Sequence, residues 1–203
     1  MTRGRVEAFS DGVIAIIITI MVLEMKVPHS ADAAALRPVL PVLLSYVMSF
    51  IYLGIYWNNH HHLFQAVRRV SGGILWANLH LLFWLSLIPF VTGWMGENHF
   101  AKVPVALYGV VLLCAAIAYF ILTLALLRVH GRESALGMAL GAEFKEIISM
   151  GIYVAAIPLA LVAPLLATAL YAAVAIVWIV PDRRIERALT QGARQQAGGA
   201  QSE

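Results

Sequence analysis

Residues 5–11, Arg5-Val6-Glu7-Ala8-Phe9-Ser10-Asp11, place a guanidinium, two carboxylates and a hydroxyl within two helical turns, directly before the apolar run from Gly12 to Leu23. Ionisable groups at the edge of an apolar span cost free energy, so their presence calls for pairing, a proton relay or an ion path. A second constellation is Asn58-Asn59-His60-His61-His62, and a third is Asn78 with His80 inside a later apolar run. Consecutive helical residues point about 100° apart, so the three histidines cannot share one ion unless the helix has ended there. A metal would also need Glu7, Asp11 or His80 to come within reach, and no metal is expected. The favoured reading has one or two of these imidazoles bonding the polar groups of the first helix, with the others at the membrane surface. A histidine so placed can titrate near neutral pH. Thr19 is the one hydroxyl in the apolar part of the first span, and a bond back to the carbonyl one turn earlier is its expected use.

On a helical wheel, Phe9, Ile16, Ile20 and Leu23 fall within an arc of roughly 60°, with Glu7 and Asp11 on the opposite side. The carboxylate side should turn toward neighbouring helices that supply donors. The row of branched residues reads, on residue type alone, as a lipid-facing or packed surface. A row lining a pore is the alternative.

The elements that must hold these groups follow from composition. The chain has 203 residues, 61% hydrophobic and 12% charged, where a soluble domain is about half apolar and a quarter charged. It reads as an all-α polytopic membrane protein. Its formal charge of +3 comes from basic residues scattered between apolar runs, which argues against nucleic acid as a partner. Cys114, alone within an apolar run, excludes an intrachain disulfide and a cysteine-based metal site. There is no nucleotide loop, no Gly-x-Ser-x-Gly and no His-Glu-x-x-His, so an enzyme is not favoured.

Measured against the roughly 20 residues that cross a bilayer, the apolar runs give spans at about 5–25, 39–59, 74–95 and 103–127. The fourth is apolar throughout, with little that suggests chemistry. The run 147–180 holds 34 uncharged residues, too many for one span, and Pro158 and Pro164 offer a break, with the turn expected near Pro164. Glu143, Lys145 and Glu146 at its start read as a solvated helix beginning. With six spans (the last two at about 145–163 and 164–181), eleven of the fourteen basic residues fall on the side of the N-terminus and only Lys26, Arg37 and Lys102 on the other. That asymmetry follows the positive-inside rule and puts both termini in the cytoplasm. The expected organisation is one six-helix domain over 1–187 and a disordered tail over 188–203. Trp57, Trp76, Trp94 and Trp178 lie near span ends, as an interfacial belt does. The stretch 12–23 also resembles the apolar part of a signal peptide, with a cleavage-like Ala31-Asp32-Ala33, but Glu7 and Asp11 sit where such a peptide is basic or apolar.

Arg5-x-x-x-Phe9-Ser10-Asp11, followed at once by Gly12-Val13 and an Ile-rich helix ending in Val22-Leu23-Glu24, resembles the signature of the transmembrane protein 175 family, the potassium-permeable channels of lysosomes and bacteria. Tyr56-Trp57-Asn58-Asn59-His60-His61 and Ile179-Val180-Pro181-Asp182-Arg183-Arg184 resemble it as well. The resemblance implies six spans per chain in the bacterial inner membrane and a central path ringed by first helices, with Ile16, Ile20 and Leu23 as apolar constrictions. Because the Phe-Ser-Asp motif occurs once, four chains are needed, and a homotetramer in membrane lipid is implied. Monovalent cations, potassium above all, are the implied permeant species, with no cofactor. No Thr-Val-Gly-Tyr-Gly filter is present, so selectivity would arise from pore dimensions, a partly hydrated ion and the nearby Thr19. Arg5, Ser10 and Asp11 would anchor the helix, with Asn78, His80 or His60 and His61 as partners. Two other readings stay open on the residues: a proton- or ion-coupled transporter using Asp11 and the histidines, and a metal-dependent membrane enzyme built on the histidines.

Overall fold

A computed structural model describes residues 2–65, 67, 69–130 and 143–179. The expected tail at 188–203, the 180–184 portion of the third motif and the arginines of the chain end lie outside the described residues. Among the described residues the fold is all helical, because apolar segments in lipid must satisfy their backbone groups internally. Its helices are α1 (Arg3–Leu23), α2 (Leu40–Gln65, preceded by a 3-10 turn over Ala33–Val39), α3 (Gly72–Ser86), α4 (Ile88–Glu97), α5 (Lys102–His130), α6 (Glu143–Ala160) and α7 (Pro164–Ile179). Four segments, Arg3–Leu23, Ala33–Gln65, Gly72–Glu97 and Lys102–His130, are long and apolar enough to cross a membrane. The chain is a multi-pass membrane protein.

Two boundaries differ from the sequence expectation in ways that matter. The third apolar run is broken at Leu87 into α3 and α4. Pro89 has no amide hydrogen and stands in the first turn of α4, where that loss is tolerated. The second run carries on as helix to Gln65, so His60, His61 and His62 radiate from one helix and their rings diverge. Ser71 caps α3 by accepting from the Ile74 amide at 3.4 Å. Pro164 opens α7 at the position where proline fits best.

α1 rests on α2, α3 and α4, while α5 joins α3 and α4 to α6, and α7 closes against α6 and α2. Close approach of α5, α6 and α7 depends on small residues: Ala115, Ala118, Ala156, Ala160 and Ala167 are all fully buried. Glycine is required at two crossings. A Cβ at Gly96 would stand 2.7 Å from the Val42 Cα, and one at Gly109 would strike the Tyr171 hydroxyl and lie 2.6 Å from its Cζ.

Candidate functional site

α1 has two faces set by its helical period. Val6, Ser10, Ile14, Ile17 and Met21, three or four residues apart, are buried against the neighbouring helices. Phe9, Ile16, Ile20 and Leu23 are left 51%, 59%, 42% and 79% exposed in the single chain. Thr19 shares this open side, and its hydroxyl donates to the Ile16 carbonyl at 2.9 Å. That bond consumes the hydroxyl proton and leaves the oxygen as an acceptor.

The closed face of α1 is fastened by polar contacts that start from Ser10. Its hydroxyl donates to the Val6 carbonyl at 2.9 Å and accepts from Asn78 Nδ2 at 2.9 Å. Because the Ser10 proton is already committed, the amide group of Asn78 must face Ser10 and its carbonyl must face away. Asn78 Oδ1 therefore accepts from His60 Nε2 at 2.8 Å, which fixes the Nε2–H tautomer of that imidazole. All three side chains are buried, and the His60 ring stacks on Phe64 with centroids 4.4 Å apart. α1, α2 and α3 are thereby tied at one level.

Around Ser10, the carboxylates of α1 find separate partners. Asp11 Oδ1 accepts from Trp57 Nε1 at 3.0 Å. Glu7 lies 3.0 Å from His61 Nδ1 and 3.7 Å from Arg3 Nε, and His61 Nε2 meets Gln65 Nε2 at 2.8 Å. The Arg3 Nη1 group donates to the Gln65 carbonyl at 2.9 Å, so the start of α1 is clamped to the end of α2. At the opposite end Lys26 Nζ meets Glu97 Oε1 at 2.9 Å. The hydrogen bond donated to that carboxylate, and then its charge, hold the Lys26 amine above its ordinary pKa.

The structure thus gathers Ser10, Asn78 and His60 into one network, and Glu7 with His61 into another. Arg5 is exposed and stands outside both. His80 joins neither: its Nε2 accepts from Trp84 Nε1 at 3.0 Å on an exposed face of α3. Among the described residues, no three His, Cys, Asp or Glu side chains come close enough to hold a metal.

Two sequence readings need correction. Glu146 is not part of a solvated helix start, because α6 packs its first turns on α5 and carries this side chain inside, where it is 8% exposed. Nor is the fourth span without polar function. From α5, Tyr108 meets Ser49 at 3.0 Å, and Ser49 meets Thr92 at 2.6 Å. Tyr119, Tyr56, Asn59, Glu146 and Ser149 line a cavity of about 40 Å³, roomy enough for water. Single buried tyrosines and a carboxylate leave no periodic signature in a sequence. The Trp57 and Trp178 side chains, expected only as belt residues, donate to Asp11 and to Ser149 at 3.0 and 2.8 Å. Each indole thereby satisfies its one N–H within the protein.

A potassium channel of Chryseobacterium sp. (strain P1-3) is 56% identical over 191 residues, covering 94% of this chain and 100% of that one. Residues 5–89 match the family described as the endosomal/lysosomal potassium channel TMEM175. The chain belongs to the TMEM175 family. The crystal structure of a lysosomal potassium-selective channel TMEM175 homolog from Chamaesiphon minutus aligns with a TM-score of 0.75 and 29% identity, covering 88% of this chain and 96% of that one. The human endosomal/lysosomal proton channel TMEM175 is 33% identical over 116 residues, which span 51% of this chain but only 23% of the human protein. The family match covers α1, α2 and α3 and ends at Pro89 in α4, so it includes all of the Ser10–Asn78–His60 network and the open face of α1.

Proposed function

We propose that this chain is one subunit of a potassium-permeable cation channel in the bacterial inner membrane, and not an enzyme. Four copies surround a central path with their α1 helices, and Ile16, Ile20 and Leu23 form successive apolar constrictions. Each chain crosses the membrane six times with both termini in the cytoplasm. α6 and α7, of 18 and 16 residues, rise about 27 and 24 Å, close to the roughly 30 Å of bilayer hydrocarbon. The observation that carries the reading is the open row on α1: the helix that begins the TMEM175 match leaves Ile16, Ile20 and Leu23 exposed in the single chain.

A narrow apolar ring stops ions by excluding water, so opening needs only widening of the ring. Thr19 lies between the Ile16 and Ile20 levels, and four such hydroxyl oxygens would replace part of a potassium ion's hydration shell. The anchor of Ser10 and Asp11, bonded to Asn78 and Trp57, holds the helix in register while the ring moves. No cofactor is required, with monovalent cations as permeant species.

In proteoliposomes the purified protein is expected to carry potassium current, and recording under potassium/sodium bi-ionic conditions measures its preference. Ile16→Asn should raise or deregulate the flux. Absence of flux in every lipid tried, or indifference to substitution at Ile16, Ile20 and Leu23, would sink the reading. The vertebrate relatives named as proton channels and the Glu7–His61 pair favour a second reading, proton- or ion-coupled transport through Asp11 and the histidines. Saturable, substrate-dependent uptake abolished by Asp11→Asn would support that one.

A further inference from the structure

Between the first half of α3 and the last turns of α5 runs a groove of about 590 Å³, walled by Ile74, Ala77, Ile121, Leu124, Ala125 and Val129. Its volume is that of a ligand pocket rather than of a packing defect. The polar group within the wall, His80, is already bonded to Trp84 at 3.0 Å, so the wall behaves as apolar. The end of the groove is different in character. There Arg128 is exposed and pairs with no carboxylate among the described residues. The rim is held in shape by His130, whose Nε2 accepts from the Arg69 amide at 3.2 Å while Nδ1 donates to the Leu126 carbonyl at 2.9 Å.

The start of α3 lines the same groove through Ser71 and Gly73. Ser71 takes the Ile74 amide and its carbonyl takes the Leu75 amide at 3.2 Å, which leaves the Gly72 and Gly73 amides as the unfilled donors of the first turn. Both glycines are exposed, and a Cβ would meet nothing at Gly72 and only Ser71 Oγ at 3.8 Å at Gly73. The first turn of α3, through Ser71 and Gly73, and the unpaired Arg128 line the same groove, and backbone donors, a helix dipole and a guanidinium all favour an anion with oxygen acceptors. Trp76, 75% exposed beside them, marks the headgroup level of a bilayer.

We propose that this groove binds one anionic phospholipid, its phosphate between Arg128 and the Gly72–Gly73 amides and an acyl chain along the Ile121–Leu124–Ala125 wall. Charge complementarity selects the occupant: an apolar groove ending in unpaired positive charge fits an amphiphile with a negative head, and basic pockets between membrane helices take such headgroups. The site links α3 to α5, behind the α3 residue Asn78 that holds α1. It rests on the membrane reading alone and not on ion permeation.

The test is native mass spectrometry of the delipidated full chain titrated with palmitoyl-oleoyl phosphatidylglycerol or phosphatidylcholine. Tighter binding of phosphatidylglycerol is expected. Arg128→Ala should weaken it about fivefold, the effect of one interfacial arginine, with Arg128→Lys recovering most of the loss and phosphatidylcholine unchanged. Arg37→Ala, at the other end of the bundle, should change neither. Ala125→Trp, which fills the groove without touching the charge, should lower lipid binding even if Arg128→Ala is not recovered folded. Equal binding of the two lipids, or phosphatidylglycerol binding untouched by Arg128→Ala or, where that variant is not recovered, by Ala125→Trp, would overturn the proposal. Because no flux is measured, its failure is distinct from failure of the channel reading.

Discussion

Replacing Asn78 by leucine tests the fastening of α1 at its centre. The side chains are of similar size, so the change deletes hydrogen bonds without opening a large void. Two bonds disappear, from Asn78 Nδ2 to Ser10 Oγ at 2.9 Å and from His60 Nε2 to Asn78 Oδ1 at 2.8 Å. Their consequences are unequal. Ser10 keeps its bond to the Val6 carbonyl and loses only an incoming donor. His60, fully buried and with Nδ1 already unpartnered, is left with no bond at all. A bond between membrane helices contributes about 0.6 and up to about 1.7 kcal/mol, and an orphaned buried donor costs about 1–3 kcal/mol. The His60 loss dominates, and Asn78→Leu should cost about 2–3 kcal/mol. At roughly 2–4 °C per kcal/mol for a chain of this size, the midpoint in detergent should fall by about 4–12 °C, read by fluorescence-detected size exclusion. The decisive variant is Asn78→Leu with His60→Phe. Phe keeps the stack on Phe64, whose centroid separation is 4.4 Å, and removes the stranded imidazole, so the double variant should recover most of the lost stability. A neutral Asn78→Leu, or a second substitution that simply adds its own loss, would refute the assignment of the cost to His60.

Other expectations concern single contacts. Gly96→Ala should destabilise by about 1–3 kcal/mol, because the Cβ would stand 2.7 Å from the Val42 backbone; the same midpoint assay reads it. Asp11→Asn preserves an acceptor for Trp57 Nε1 and should leave the fold intact, whereas Asp11→Leu should lower the midpoint, with Trp57→Phe partly restoring it. The Lys26–Glu97 pair is exposed, so Lys26→Met should leave the midpoint unchanged at neutral pH. Since Glu97 raises the Lys26 pKa, whatever the pair contributes is present below the ordinary lysine value and is lost as pH rises through the raised one, an alkaline effect that salt should screen. A midpoint that dropped between pH 5 and 8 in wild type but not in Lys26→Met would contradict this.

Helical period is a local property, and α1 shows how far it reaches. The separation of Val6, Ser10, Ile14, Ile17 and Met21 from Phe9, Ile16, Ile20 and Leu23 follows from 3.6 residues per turn, and the burial of the first set and exposure of the second agree with it. The apolar runs likewise fix an all-helical membrane chain, since lipid permits little else. What periodicity could not supply is which distant groups meet. Ser10 and Asn78 are 68 residues apart, and Asp11 and Trp57 are 46 apart; each pairing depends on how α1, α2 and α3 cross. His60 and His80 look interchangeable as histidines in apolar runs, yet packing turns one inward to Asn78 and the other outward to Trp84. Glu146 reads as one of three charged residues opening a helix, and only the seating of α6 on α5 shows that it is inside. Sequence alone determined the two faces of α1, because side-chain direction repeats along a single segment. The tertiary structure decided the partners, because a hydrogen bond needs two groups brought within about 3 Å, and only the packing of separate helices sets that distance.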